Sequence, residues 1–170
     1  MAHRGLFVAE GRLVVTRLLA RSRFGVRSVM LTETAYVSVR DVLDACPDVP
    51  VYLVPQQVMN AVTGFNIHRG CLALGERPPA SDWRDLAAAS SRLLVLERVG
   101  DADNVGSLFR NAAALGADAV LLGPACADPL YRKAIRTSMG AALTLRFADA
   151  QPWPAVLGEL NVAGWVVAAL

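Results

Sequence analysis

Short blocks of apolar residues alternate along this chain with segments in which apolar residues recur every three or four positions. The short blocks predict buried strands, and the longer segments predict amphipathic helices. Strands are predicted at 28–31, 51–54, 70–74, 93–96, 119–122, 143–147 and 165–169. Helices are predicted at 10–23, 38–45, 55–64, 104–115, 129–139 and 154–160. This alternation is typical of an α/β fold with a parallel sheet, covered on both faces through right-handed crossovers.

A polar, proline-bearing stretch divides the pattern. Residues 76–82 read ERPPASD, a composition typical of a linker. We therefore predict an α/β domain at 1–76, a linker at 77–91 and a second α/β domain at 92–170. The chain ends in the apolar stretch GWVVAAL, an unusual place for a domain to end, because termini usually lie at the surface.

The composition excludes two classes of protein. Of the 170 residues, 54% are hydrophobic, which is too many for a disordered chain. No apolar run approaches the ~20 residues that span a bilayer, so we expect no membrane segment. The length suits one domain or two small ones.

Charge is unevenly distributed, although the formal net charge is only +2. Residues 1–30 hold six arginines and a single acidic residue, Glu10. This asymmetry is typical of nucleic-acid binding, but also of a solvated face in an arginine-rich proteome. The second alternative is favoured by Lys133 being the only lysine.

Cys46, Cys71 and Cys126 are far apart and have no paired metal spacing, and no secretory signal precedes them. These features predict a reducing, cytoplasmic location. His3 and His68 have no clustered partners, so we predict no metal site.

The first candidate site, residues 97–111, begins where a predicted strand ends and runs into a helix. Ligands of parallel sheets bind outside the carboxyl ends of the strands, which makes this position a candidate. Asp103 or Asn104 can cap the helix. Gly106 lies four residues before Arg110, so both share one face and the glycine leaves room for a substrate. The alternative is an ordinary capped helix with one surface arginine.

The second candidate site, residues 128–141, carries a cluster of cations. Arg132 and Arg136 lie four apart on one helix face, and Lys133 is adjacent. Like charges at this spacing repel, so the cluster indicates a phosphate or another acidic partner. The alternative is a solvated basic face.

These two stretches, NVGSLFRNA at 104–112 and RKAIRTSMGA at 132–141, resemble motifs 1 and 2 of the SpoU/TrmH branch of the SPOUT RNA methyltransferases. Residues 7–11 and the basic helix after them resemble the small ribosomal-protein-like substrate-binding domain that often precedes the catalytic domain. The resemblance implies an α/β substrate-binding domain followed by the first part of a parallel-sheet SPOUT (α/β-knot) domain.

The resemblance implies transfer of a methyl group from S-adenosylmethionine to a ribose 2′-hydroxyl of rRNA or tRNA by a homodimer. Arg110, Asn104 and Glu97 match catalytic positions of the family. RNA contacts are implied for the motif 2 residues and for the basic helix of the first domain: Arg136, Arg132, Lys133, Ser138, Arg12 and Arg17.

In the family, motif 3 follows the predicted last strand and supplies most of the cofactor pocket. Within residues 1–170 only Ala168 and Ala169 match the first lip of that pocket. We therefore expect residues 1–170 alone to bind S-adenosylmethionine very weakly or not at all. Two alternatives remain: a non-catalytic RNA-binding or dimerising module that lacks the cofactor half, and an unrelated nucleotide-binding α/β protein.

Overall fold

A computed structural model of the chain describes residues 5–64, 67 and 70–169, so the predictions for His3 and His68 lie outside it. The strands are β1 (Leu6–Glu10), β2 (Gly25–Leu31), β3 (Val51–Leu53), β4 (Cys71–Glu76), β5 (Leu93–Leu96), β6 (Ala119–Leu122) and β7 (Arg146–Asp149). The helices are α1 (Arg12–Arg21), α2 (Glu33–Asp44), α3 (Gln56–Thr63), α4 (Trp83–Ala88), α5 (Ala102–Ala114), α6 (Arg132–Thr137), α7 (Ala141–Thr144) and α8 (Ala155–Val162).

The second sheet is parallel, as predicted. Its order is β5-β6-β7, and the register places Leu93 opposite Ala119 and Ala119 opposite Arg146. The four residues of β6 are all buried, because this central strand has helices against both faces. The carboxyl ends of the three strands therefore lie along one edge, where the loop after β5 leads into α5.

The first sheet corrects the expectation of parallel strands throughout. Its order is β1-β4-β2-β3, and β4 pairs antiparallel with both β1 and β2, while β2 and β3 are parallel. The prediction also missed β1, whose five residues alternate between half-buried and buried. Strand direction depends on where the chain re-enters the sheet, which the hydrophobic pattern does not record.

Three further segments differ from the predicted elements. Within the predicted linker, residues 83–88 form α4, whose Trp83 and Leu86 pack in the core beside β6 and β7. The helix predicted at 129–139 ends at Thr137. Leu143 and Thr144, predicted as the start of a strand, belong to α7, and β7 begins only at Arg146. Gly140 separates the two helices with a φ of 85°, a conformation that interrupts a right-handed helix.

The strand predicted at 165–169 is absent: these residues are irregular. Gly164 follows α8 with a φ of 89°, and the Trp165 amide donates to the Leu160 carbonyl. This hydrogen bond satisfies a carbonyl group at the C-terminal end of α8. A strand also needs a neighbouring strand for its hydrogen bonds, and the described residues provide none for this segment.

One hydrophobic core joins the two halves of the chain. Phe7 and Leu18 of the first half share a buried cluster with Leu130, Ile135 and Leu143 of the second half. The first sheet and α1 therefore pack directly on α6 and α7. The described residues contain no helix long and apolar enough to cross a membrane. They also contain no cluster of three or more metal-ligating side chains.

Candidate functional site

The helix that carries Asn104 and Arg110 begins earlier than predicted. Asp101 is its N-cap, and its Oδ1 accepts hydrogen bonds from the amides of Asp103 at 2.8 Å and Asn104 at 3.0 Å. The expectation that Asp103 or Asn104 caps the helix was wrong, because both residues already lie inside α5. Their side chains are consequently free for other contacts.

Helices α5 and α6 cross closely at Gly106. A Cβ at this position would lie 2.6 Å from the Ala134 carbonyl oxygen and 3.0 Å from the Cβ of Thr137. Real side chains do not approach backbone that closely, so the crossing requires glycine. The prediction assigned Gly106 to leaving room for a substrate; the structure fills that room with α6.

Asp103 connects the same two helices. Its Oδ2 lies 2.8 Å from Nζ of Lys133, and its Oδ1 accepts a hydrogen bond from the Thr137 hydroxyl at 2.7 Å. These hydrogen bonds, from Lys133 first and Thr137 second, lower the pKa of the Asp103 carboxyl. The hydrogen bond to Asp103 raises the pKa of Lys133. Lys133, predicted as an RNA contact, is thus paired with Asp103, a partner that the sequence pattern does not indicate.

Three of the predicted site residues lie exposed beside this crossing. Asn104 directly follows Asp103, Arg110 lies one helical turn beyond Gly106, and Arg136 directly precedes Thr137. All three are exposed, and neither arginine forms an ion pair within the described ranges. The close packing of α5 on α6 thus brings the two motif helices together with their polar side chains accessible to a ligand.

Glu97 lies immediately after β5, on the edge where the strands end. Its Oε1 accepts a hydrogen bond from the indole Nε1 of Trp153 at 3.0 Å. The Trp153 ring also covers Gly123, where a Cβ would lie 3.3 Å from the indole. Trp153 therefore connects the loop after β7 with the ends of β5 and β6. Glu97 and Trp153 are 56 positions apart, so no local sequence pattern indicates this contact.

Two arginines assigned to RNA contact instead join the two halves of the chain. Arg17 of α1 donates from Nη1 to the Met139 carbonyl at 2.7 Å. Arg132 of α6 donates from Nη1 to Oε2 of Glu10 at 2.9 Å, and the Glu10 side chain is only 17% exposed. These contacts place both guanidinium groups at the joint between α1, β1 and the motif 2 segment.

Ser138 corrects a further expectation. It is completely buried, its hydroxyl donates to the Ile135 carbonyl at 2.9 Å, and its Oγ accepts from the Ala142 amide at 3.3 Å. A fully buried hydroxyl with both functions used stabilises the turn between α6 and α7 and does not contact RNA. Arg12, by contrast, is exposed at the start of α1, as a phosphate-binding residue requires.

The cofactor assignment of Ala168 and Ala169 finds little support in the geometry. Both residues are exposed and belong to no strand. Neither contributes to the cleft of about 950 Å³ that Trp165 and Val166 border together with Arg92 and Leu93. The described residues at this end of the chain therefore do not form a pocket for a nucleoside.

Comparisons with known proteins found similar sequences. Residues 91–170 match the model of the SpoU rRNA Methylase family. An uncharacterized tRNA/rRNA methyltransferase of Mycobacterium tuberculosis is 42% identical over 167 residues, covering 98% of this chain and 57% of the relative. The 23S rRNA (guanosine(2553)-2′-O)-methyltransferase of Bacillus subtilis is 26% identical over 158 residues, covering 93% of this chain and 59% of that protein.

A solved structure has the same fold. The SpoU methyltransferase AviRb from Streptomyces viridochromogenes, in complex with AdoMet, superposes with a TM-score of 0.77 at 20% identity, covering 96% of this chain and 60% of that one. The chain thus spans somewhat more than half the length of the proteins it matches. Residues 91–170, which carry Asn104, Arg110 and Arg136, are thus similar to the SpoU rRNA Methylase family.

Proposed function

We propose that this chain is the RNA-recognition domain and the first part of the catalytic domain of an RNA 2′-O-methyltransferase. The observation that carries the proposal is the family match over residues 91–170, together with the exposure of Asn104, Arg110 and Arg136 at the close crossing of α5 and α6. The proposed substrate is a ribose 2′-hydroxyl of rRNA or tRNA. A cytoplasmic location and the division at 1–76, 77–91 and 92–170 belong to the same proposal, with α4 of the middle segment packed on the third.

Within this proposal, Arg110 stabilises charge and does not remove the proton. Guanidinium groups keep their proton near neutral pH, so Arg110 is a poor general base. Its fixed fork of N–H donors suits an alkoxide that develops on the ribose oxygen. A phosphate oxygen of the RNA or a water molecule then accepts the hydroxyl proton.

Asn104 and Arg136 have positioning roles in this mechanism. The Asn104 amide can donate to and accept from the ribose, and Arg136 can hold a backbone phosphate through a charge-assisted hydrogen bond. Fixing the sugar in this way aligns the 2′-oxygen for attack and lowers the entropic part of the barrier. Glu97 is proposed to support the same edge of the sheet, where Trp153 holds its carboxylate.

The proposed methyl donor of the whole protein is S-adenosylmethionine. The exposed, irregular segment of Ala168 and Ala169 does not fit an enclosed nucleoside site, so we assign the donor no residue of the described chain. We also propose that the whole protein is a homodimer, as the family resemblance implies.

Methyl transfer from labelled S-adenosylmethionine to total RNA tests the function. The protein expressed from its intact gene is incubated with RNA, and the labelled nucleotide is mapped. A 2′-O-methylated ribose in rRNA or tRNA is the expected product. RNA binding without any methyl transfer contradicts the proposal and favours the non-catalytic alternative. A calorimetric titration of the 170-residue chain with S-adenosylmethionine is expected to give no micromolar binding.

A further inference from the structure

The Asp103 carboxylate spans two turns of the neighbouring helix. One oxygen lies 2.8 Å from the Lys133 ammonium, and the other accepts from the Thr137 hydroxyl at 2.7 Å. Lys133 and Thr137 are four residues apart, so they lie on the same face of α6. Asp103, in the first turn of α5, therefore fixes the rotation of α6 about its axis and its position along that axis.

Gly106 completes this junction three residues later. Its lack of a side chain lets α5 lie against the Ala134 carbonyl, between the two turns that Asp103 contacts. The junction is continuous with the proposed site, because Asn104 directly follows Asp103 and Arg136 directly precedes Thr137. Movement at the junction would shift the residues proposed to contact ribose relative to the residue proposed to contact phosphate.

The junction also determines which cations of α6 are available to a polyanion. Lys133 interacts electrostatically with Asp103 of α5, with Asp101 at the N-cap of that helix and with Arg136 on its own helix. Pairing with Asp103 compensates the Lys133 charge, and Arg132 is paired with Glu10 across the interdomain joint. Arg136 is the cation of α6 that forms no ion pair in the described part of the chain.

We propose that Asp103 is a positioning residue: it holds Asn104 and Arg110 in register with Arg136 and keeps Lys133 out of the RNA contact. The inference rests on the proposed function, because it places RNA on the exposed side of this helix pair. It also explains how a helix with three cations can present one of them to a phosphate. The repulsion between Arg136 and Lys133 is offset by Asp103, which faces both.

The single lysine of the chain makes the proposal directly measurable. Labelling with ¹³C,¹⁵N-lysine labels Lys133 alone, and its ¹³Cε–¹⁵Nζ group gives a single NMR signal to follow. Its pH titration is compared between the wild-type chain, Asp103→Asn and the control Asp48→Asn, which removes the same charge from an exposed loop residue. We expect the Lys133 pKa to lie above the ordinary 10.5, to fall towards it in Asp103→Asn and to stay raised in Asp48→Asn.

The same signal is then followed while an RNA hairpin with an unpaired loop is added. We expect the Lys133 signal to stay in place in the wild type and in Asp48→Asn, and to move in Asp103→Asn, where the ammonium is released towards the RNA. Asp103→Glu, which keeps the carboxylate, is expected to behave as the wild type. A merely structural role of Asp103 would not make the lysine sensitive to RNA.

Two results would overturn the inference. One is a Lys133 signal that moves with RNA in the wild type, and the other is a Lys133 pKa that Asp103→Asn leaves unchanged. The wild-type titration decides this even if Asp103→Asn fails to fold. Failure of the proposed function gives a different pattern: the wild-type chain then binds no RNA by fluorescence anisotropy, while the Lys133 pKa still responds to Asp103.

Discussion

Arg132 of α6 and Glu10 at the end of β1 form an ion pair across 2.9 Å, and this pair joins the motif 2 helix to the first sheet. Glu10 is largely shielded from solvent, whereas Arg132 keeps an accessible edge. The contact lies beside the shared apolar core of Phe7, Leu130 and Ile135. The two halves of the chain are therefore held in one orientation by both apolar and ionic contacts.

Replacing Glu10 by Gln should reveal the strength of this joint. The Arg132 guanidinium loses a carboxylate in a partly shielded setting, so we expect a loss of roughly 1 kcal/mol in the free energy of unfolding. Urea denaturation followed by circular dichroism measures it. The control is Asp44→Asn, which breaks the exposed Arg40–Asp44 pair and should cost less than about 0.5 kcal/mol. Equal losses in the two variants would contradict a special role for the joint.

Gly106→Ala should destabilise the crossing of α5 and α6. The added methyl group would overlap the Ala134 carbonyl, and relieving that contact is expected to cost about 1–3 kcal/mol. Gly158→Ala in α8 is the matched control, because nothing lies within 4 Å of its Cβ position. Alanine there should be neutral or stabilise by up to about 1 kcal/mol, since alanine is the better helix former. Thermal unfolding of both variants tests whether Gly106→Ala lowers the stability while Gly158→Ala leaves it unchanged or raises it.

Cys71 should be the least reactive of the three thiols. Burial raises its pKa to about 12, against an opposing effect of Arg12, so almost no thiolate forms at neutral pH. Brief treatment with iodoacetamide at pH 8 should label the half-buried Cys46 and Cys126. Mass spectrometry should find Cys71 labelled only after denaturation. Rapid labelling of Cys71 in the native chain would contradict its burial.

The same thiol gives a pH dependence of stability. Because the folded-state pKa of Cys71 is raised above its ordinary 9.0, the unfolded chain releases this proton first as the pH rises. The contribution of Cys71 to stability is thus complete below pH 9 and is lost progressively towards pH 12. Denaturation midpoints measured across this range should fall less steeply for Cys71→Ala than for the wild type.

Arg136→Gln should weaken RNA binding and its dependence on salt. If Arg136 neutralises one phosphate, its loss should reduce the slope of log K against log salt concentration by about 0.7–0.9. Fluorescence anisotropy at several salt concentrations measures the slope. Arg40→Gln, which removes an exposed arginine of α2, serves as the control and should leave the slope unchanged. An unchanged slope in Arg136→Gln would remove this residue from the proposed interface.

Arg110→Lys tests the proposed role of the guanidinium fork. The substitution keeps the positive charge but removes the paired donors, so we expect kcat of the intact enzyme to fall by about 10²-fold with a smaller change in KM. Methyl transfer under saturating RNA measures kcat. Wild-type turnover by this variant would contradict stabilisation of the alkoxide by Arg110.

Local sequence patterns predicted much of the second half of the chain. The apolar blocks at 93–96 and 119–122 coincide with β5 and β6, and the two motif stretches identified the helices that carry Arg110 and Arg136. These elements are predictable because a buried central strand and a helix with one apolar face leave a periodic trace in the sequence. Residue types at fixed positions in the two motifs also pointed to the family.

Tertiary structure alone decided how those residues are used. Lys133, Arg132 and Arg17 all read as cations for RNA, but their partners are Asp103, Glu10 and the Met139 carbonyl, at separations of 30, 122 and 122 residues. Sequence patterns describe which residue types lie close along the chain, whereas pairing of charges depends on which surfaces the fold brings together. Packing of α5 on α6 and of β1 on α6 therefore sets which cations of α6 have an ion-pair partner among the described residues.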